Sequence, residues 1–323
     1  MAEVVLVGGM PAAGKTTVTK RYEAKGYTRL NRDTVGGSVD DLLPALGSAL
    51  RAGKNVVMDN LYATKASRAG AIKVAGETKS PVNFVLMDTS LEDAQFNACV
   101  RMMQRCGRIL HPDDYKKPEY KSDPGLFPVA VIYKYRKDFE APSTAEGFAS
   151  VQTEKFVRQY PAEWVNKALI LDFDGTIRTH DGAEKYPCKP SEVRAYPHRT
   201  AKIMEYVRKG YMLFGASNQS GIDKGTITSA DAEDCFVETL RQMKLHVNEP
   251  TDGIFMKEFQ YCPHRSAPIS CYCRKPGVGM AVYYVMKYNL DPRQTIYVGD
   301  MTTDKTFASR AGFKYYDHNE FFR

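Results

Sequence analysis

No window of this 323-residue chain approaches the ~18 uncharged apolar residues that a membrane-crossing helix needs, so a membrane-spanning helix is excluded. The sequence enters an apolar strand almost at once, at Val4, so a signal peptide is not expected. A cytoplasmic location, with no membrane partner, is the expectation. A disulfide framework is also disfavoured. Seven cysteines is an odd number, and in a reducing compartment they serve as thiols or metal ligands. Charge of one sign does not dominate either: 45 Lys and Arg against 38 Asp and Glu leave +7, which permits an anionic partner without demanding one. What remains, 43% hydrophobic and 26% charged, is ordinary for a globular protein long enough for two cores.

The first informative stretch is Val4–Thr17, VVLVGGMPAAGKTT. An apolar strand runs into a glycine-bearing loop and then into the opening of a helix. Gly9, Gly14, Lys15 and Thr16 fit G-x-x-x-x-G-K-[ST], with Thr17 beside them. Backbone N–H groups of such a loop converge on a phosphate, Lys15 supplies a point charge, and the Thr16 hydroxyl suits Mg²⁺. A nucleoside triphosphate, ATP, is the implied ligand. Val18–Lys25 reads as a helix ended by Gly26, and Val39–Ala52 as another ended by Gly53. Lys54–Asp59 and Phe84–Met87 read as strands. This alternation predicts right-handed βαβ units and a parallel sheet, with strand tips gathered beside the phosphate loop. Asp33, at the end of a short strand, suits a general base toward an attacking hydroxyl, or else a helix N-cap. Leu91–Arg108 reads as a helix with Arg101, Arg105 and Arg108 on one face. Over a nucleotide that face would clamp phosphates; elsewhere it would be a solvated basic face. Lys116–Lys121 and Tyr133–Lys137 interleave bases with tyrosines, which could stack nucleobases or be half-buried loops.

These motifs resemble the kinase half of the phage-type polynucleotide kinase/phosphatases. The resemblance rests on Gly9–Thr16, on Asn31-Arg32-Asp33, on the strand ending in Asp59-Asn60, and on Arg101 and Arg105 before Gly107 and Pro112. It implies that Asp33 is the base toward a polynucleotide 5′-hydroxyl, that Arg105 contacts the ATP phosphates, and that Asp59 belongs to the kinase site. It departs from the pattern at Gly36, where the family's best-known member carries an arginine that holds the acceptor. Arg29, Arg32 and Arg68 are the candidates to replace it.

Residues 1–140 are thus expected as the kinase-like domain. Residues 141–166 would connect, with some structure of their own from Phe156, Tyr160 and Trp164, and 167–323 would form a second α/β domain. There Ala168–Leu171 leads to Asp172-Phe173-Asp174-Gly175-Thr176. Aspartates at i and i+2 of a strand end share one side; the first can attack a phosphoryl group, the second protonate the leaving oxygen, and their oxygens invite Mg²⁺. Leu213–Ala216 leads to Ser217-Asn218-Gln219, Arg274-Lys275-Pro276 supplies a lysine, and Ile296–Val298 leads to Gly299-Asp300, with Asp304 following. Cys262, His264, Cys271 and Cys273 offer four soft ligands in twelve residues, a closed set that suits structural Zn²⁺.

The aspartate, serine, lysine and acidic motifs, in this order, resemble the haloacid dehalogenase (HAD) phosphatases. That likeness implies Asp172 as nucleophile, Asp174 as acid and then base, Ser217 and Lys275 on the phosphoryl oxygens, and Mg²⁺ held by Asp300 with Asp172 and the Asp174 carbonyl. Asn218 and Asp304 would support them, with a helix cap as the alternative role for Asp304. The metal-loop run with Ser217–Gly221 resembles the histidinol-phosphate and heptose-bisphosphate phosphatase branch. Two readings follow: an enzyme healing nucleic-acid 5′-hydroxyl and 3′-phosphate ends, or a sugar or nucleoside kinase joined to a sugar-phosphate phosphatase. A binding protein with inactive sites is disfavoured by the intact motif positions. A homo-oligomer is left open.

Overall fold

The computed structural model describes residues 2–32, 36–247 and 255–323. The chain forms two compact units: Met1–Ala98 with Pro118–Arg158, and Cys99–Lys117 with Gln159–Arg323. No helix among the described residues is long and apolar enough to cross a membrane.

In the first unit, strands β1 (Val4–Gly8), β2 (Thr28–Leu30), β3 (Val56–Asp59), β4 (Val82–Asp88) and β5 (Ser150–Lys155) form one sheet in the order β2-β3-β1-β4-β5. All its pairings are parallel. Around it lie helices α1 (Lys15–Glu23), α2 (Leu43–Arg51), α3 (Lys65–Glu77), α4 (Leu91–Cys106) and α5 (Val129–Asp138). Strand alternation divides β1 between two cores: Val4 and Leu6 pack with Leu46, Val56 and Phe84, while Val5 and Val7 pack with Val18, Val57 and Met87. Burial on both faces explains the uninterrupted apolar run VVLV.

Several boundaries differ from the sequence expectation, each for a local reason. Helix α1 begins at Lys15, inside the phosphate-loop motif, because Gly14 in the left-handed region (φ 88°) turns the chain straight into it. The helix expected from Val39 starts as a 3₁₀ turn, Asp40–Leu42, and becomes α2 at Leu43, with Pro44 in its first turn where no N–H is needed. Helix α4 stops at Cys106 and Gly107 takes φ 67°, so Arg108 leaves the arginine face. Its guanidinium instead pairs with Asp114 at 2.6 Å. Within 141–166, residues read as a connection, the chain supplies β5, the edge strand of the first sheet. Its polar sequence SVQTEK conceals a strand that needs no apolar face at a solvated edge. Tyr135, within the interleaved stretch, is buried in α5 against Phe139, so it packs rather than stacks bases.

Arg68 is a larger correction. Offered by the sequence as an acceptor ligand, it is fully buried, bidentate to Glu146 (2.8 and 2.9 Å) and bonded to the Tyr62 and Glu140 carbonyls. It ties α3 to the chain leading into β5 and has no face for a substrate.

The second unit holds β6 (Ala168–Leu171), a β7–β8 hairpin (Arg178–His180, Val193–Ala195), β9 (Met212–Asn218) and the short parallel pair β10 (His246–Val247) and β11 (Phe255–Met256). It continues with β12 (Glu258–Cys262), β13 (Ile296–Gly299) and β14 (Lys314–Asp317). The main sheet runs β12-β9-β6-β13-β14, again all parallel. Helices α6 (Thr200–Arg208), α7 (Ser229–Gln242), α8 (Gly279–Tyr288) and α9 (Thr302–Ala311) accompany it. Leu169, Leu171, Leu213, Phe236 and Val298 share its core. The expectation of two α/β domains with parallel sheets holds.

Removing one member of a buried ion pair costs about 3–5 kcal/mol, because the other charge stays buried. Arg68→Ala should therefore lower the unfolding free energy of the first unit by that amount in a urea titration. An unchanged titration with weakened substrate binding would return Arg68 to an acceptor role.

Candidate functional sites

The phosphate loop lies between β1 and α1. Gly9 (φ 153°) and Gly14 take conformations that a side chain would strain, and a Cβ at Gly9 would press on Met87. Thr89 Oγ1 donates to the Ala13 carbonyl and Asn97 Nδ2 to the Ala12 carbonyl, both at 2.9 Å, which pins the loop from behind. Lys15 Nζ folds back onto the Gly9 and Met10 carbonyls (2.9 and 2.8 Å). Thr16 and Thr17 are exposed in the first turn of α1, where N–H groups and the helix dipole favour an anion.

Asp59, at the tip of β3 opposite Val7, is buried and bidentate to Arg29 (2.9 and 2.8 Å). Both groups are thus committed to each other. Asn31 Nδ2 donates to the Asp59 carbonyl at 2.9 Å and so fastens the start of Asn31-Arg32-Asp33 to this tip. Asp33 itself lies outside the described residues. Arg101 and Arg105 sit on α4, in the part of that helix belonging to the second unit.

The second site gathers at the tips of β6, β9 and β13. Asp172 follows β6 and is buried. Lys275 Nζ, also buried, donates to Asp172 Oδ1 (2.8 Å) and the Ala216 carbonyl (2.9 Å), contacts the Tyr297 hydroxyl (2.7 Å), and pairs with Asp304 Oδ1 (2.7 Å). One oxygen each of Asp172, Asp300 and Asp304 lie within 4.8 Å of one another. Three carboxylates around one ammonium leave excess negative charge. Burial, opposed by Lys275 and reinforced by Asp304, pushes the Asp172 carboxyl up to about 8. A hard divalent cation suits that imbalance and those oxygens, so the residues fit Mg²⁺. Gly175 (φ 81°) lets this centre close, since a Cβ there would collide with the Asp300 carboxylate.

Asp304 does more than the expected cap. At the third position of α9 its Oδ2 accepts the Met301 N–H (3.1 Å), while Oδ1 joins the ion cluster. Asn218 makes a reciprocal amide pair with the Lys275 backbone, both bonds 3.0 Å, fixing the lysine's approach. The Asp174 side chain turns away from the acidic cluster. Its Oδ1 accepts from Arg178 Nε and Oδ2 from Gln219 Nε2, both at 2.8 Å; Gln219 also donates to Ser217 Oγ at 2.9 Å. Burial works to raise the Asp174 carboxyl, but Arg178 and Gln219 hold it below the usual value.

Arg178 and Gln219 are neighbours of Asp174 that residue-type reasoning passed over. Arg178 is buried, with Thr239 Oγ1 3.2 Å away and the Phe173 and Phe236 rings around its guanidinium. Its signal was a lone charge directly after the apolar turn following Asp174. Gln219 stood within a quoted motif but without a role.

Cys262, His264, Cys271 and Cys273 converge as the spacing predicts. The sulfurs of Cys262 lie 3.7 Å from Cys271 and 3.3 Å from Cys273; His264 Nδ1 lies 3.4 and 3.3 Å from Cys262 and Cys273. A zinc tetrahedron with 2.3 Å sulfur bonds has edges of about 3.8 Å, so this free-thiol cluster has nearly the dimensions of a loaded site. Crowding against Cys271 pushes the Cys262 thiol up to about 12, which a cation among them would reverse.

Residues 167–322 match the family described as polynucleotide kinase 3 phosphatase. The D-glycero-beta-D-manno-heptose-1,7-bisphosphate 7-phosphatase of Haemophilus influenzae is 33% identical over 148 residues, covering 43% of this chain and 74% of that protein. The bifunctional polynucleotide phosphatase/kinase of Schizosaccharomyces pombe is 27% identical over 165 residues, 50% of this chain and 36% of that protein. The crystal structure of a D,D-heptose 1.7-bisphosphate phosphatase from B. bronchiseptica, complexed with magnesium and phosphate, is 25% identical, covering 47% of this chain and 79% of that one with a TM-score of 0.40. The second half thus belongs to a phosphatase family to which the heptose-bisphosphate phosphatases are related. In this chain that half follows one that carries the phosphate-loop motif.

Arg178→Leu should leave Asp174 without its buried countercharge. If Asp174 is the acid–base group that its motif implies, phosphatase kcat should fall by roughly 10²–10⁴-fold, the weight of such a group once it is misplaced. A variant of unchanged kcat would mean that Gln219 alone suffices to place Asp174.

Proposed function

We propose that the chain heals nucleic-acid ends, phosphorylating 5′-hydroxyls from ATP and hydrolysing 3′-phosphates. The observation that carries this reading is the pairing, in one chain, of an intact phosphate loop with a phosphatase half of the polynucleotide 3′-phosphatase family. Gly9, Gly14, Lys15, Thr16 and Thr17 hold the triphosphate, Arg101 and Arg105 offset charge as the γ-phosphoryl moves, and Asp33 accepts the proton of the attacking 5′-hydroxyl. Of the arginines offered for the acceptor phosphate, Arg29 pairs with Asp59 and the buried Arg68 with Glu146.

In the second half Asp172 attacks phosphorus and the bond to the 3′-oxygen breaks, giving an aspartyl-phosphate. Asp174 hands a proton to that oxygen; the incoming phosphoryl charge favours the protonated acid against Arg178. Asp174 then takes a proton from the water that splits the aspartyl-phosphate. Ser217 and Lys275 hold the phosphoryl oxygens. Asp172, Asp300 and the Asp174 carbonyl, with Asp304 in support, would hold Mg²⁺, which would supply charge stabilisation for the transfer. Cys262, His264, Cys271 and Cys273 hold a structural Zn²⁺. A second reading, a small-molecule kinase/phosphatase, is favoured by the 33% identity to a heptose-bisphosphate phosphatase.

Labelled ATP should mark a 5′-hydroxyl oligonucleotide. Asp33→Ala should reduce that labelling by roughly 10²–10⁴-fold while sparing 3′-phosphate release, and Asp172→Ala should do the reverse. Oligonucleotides left untouched at both ends, beside rapid hydrolysis of a heptose bisphosphate, would establish the second reading. Purified protein should carry one zinc per chain, and chelation should lower its melting temperature; a chain without zinc would remove the metal from the account.

A further inference from the structure

His264 presents Nδ1 to the thiols of Cys262 and Cys273, and its other ring nitrogen, Nε2, lies 3.4 Å from Nδ1 of His111, the two rings tilted by 53°. His111 is remote in sequence from the metal loop and stands in the turn after α4, yet it belongs to the same compact unit. That turn is firmly built. Buried Asp114 accepts the His111 backbone N–H (2.8 Å), pairs with Arg108 (2.6 Å) and Lys117 (2.8 Å), and its own N–H closes on the His111 carbonyl (3.0 Å). His111 therefore arrives at His264 on a braced segment.

We propose that His111 is the outer partner of the metal-binding histidine, and that through this contact the Cys₃His loop fastens the turn that ends α4. The inference rests on the zinc reading above. A neutral imidazole that ligates through Nδ1 carries its proton on Nε2, so His264 needs an acceptor there, and His111 Nδ1 is positioned to be one. Such a partner selects the ligand's tautomer and holds its ring plane. The consequence reaches along the chain: Arg101 and Arg105 stand on the last turns of α4, directly before the turn that His111 belongs to. Metal occupancy in the loop thereby steadies the end of the arginine helix.

The test is zinc affinity of the full chain, measured by competition with a chromophoric chelator. His111→Ala should bind zinc about 10–100-fold more weakly than the unaltered protein, the usual effect of losing an outer partner. His111→Gln, whose amide oxygen can accept the same proton, should recover most of that loss, and recovery also shows that the turn still folds. Exposed Asp113→Ala, beside it, should leave affinity unchanged. Zinc bound equally tightly by the unaltered chain and by His111→Ala would overturn the inference. A uniform loss in the Ala and Gln variants would do so too, since disruption of the turn would then explain both. If the unaltered chain takes up no zinc, it is the metal reading that fails.

Discussion

The buried ammonium of Lys275 is the contact on which the second half of this molecule turns. Its nitrogen joins Asp172, at the end of β6, to Asp304 on α9 and to the Ala216 carbonyl at the end of β9. A charge taken out of water is tolerable only when its partners are placed for it, and three strand or helix ends are placed here by one parallel sheet. The same arrangement suits a divalent cation, since carboxylates held together around a single ammonium leave oxygens for a second positive charge.

The first half solves an analogous problem with backbone rather than with side-chain charge. Its phosphate loop is pinned through the Ala12 and Ala13 carbonyls, and its lysine rests on the loop's own carbonyl oxygens, from which a triphosphate could draw it. The neighbouring strand tip is already neutralised, since Arg29 and Asp59 satisfy each other. Both halves thus use the carboxyl ends of parallel strands, where short loops bring residues far apart in sequence to one edge.

How far the sequence revealed this depended on where the information lay. Asp172, Lys275, Asp300 and the four zinc-type ligands were legible because each chemistry needs particular residue types at a fixed spacing or strand end, and the structure brings these residues together. Arg178 and Gln219 were not, because their importance comes from whom they touch, not from a spacing. Arg68 misled for the converse reason: an arginine's charge says nothing about whether Glu146, far along the chain, will consume it. Strand β5 was hidden by its polar sequence, since an edge strand is defined by its neighbour β4 more than by its own side chains. His111 carried no signal at all until folding brought it to His264.

The central claim is that the phosphatase half acts on the end of a nucleic acid although its sequence also resembles sugar-phosphate enzymes. The most direct measurement is the ratio of kcat/KM for a 3′-phosphate oligonucleotide to that for a heptose bisphosphate, taken on one preparation loaded with Mg²⁺. The account predicts a ratio well above one, with loss of both activities in Asp172→Ala. A ratio well below one, with the oligonucleotide hydrolysed no faster than by Asp172→Ala, would contradict it.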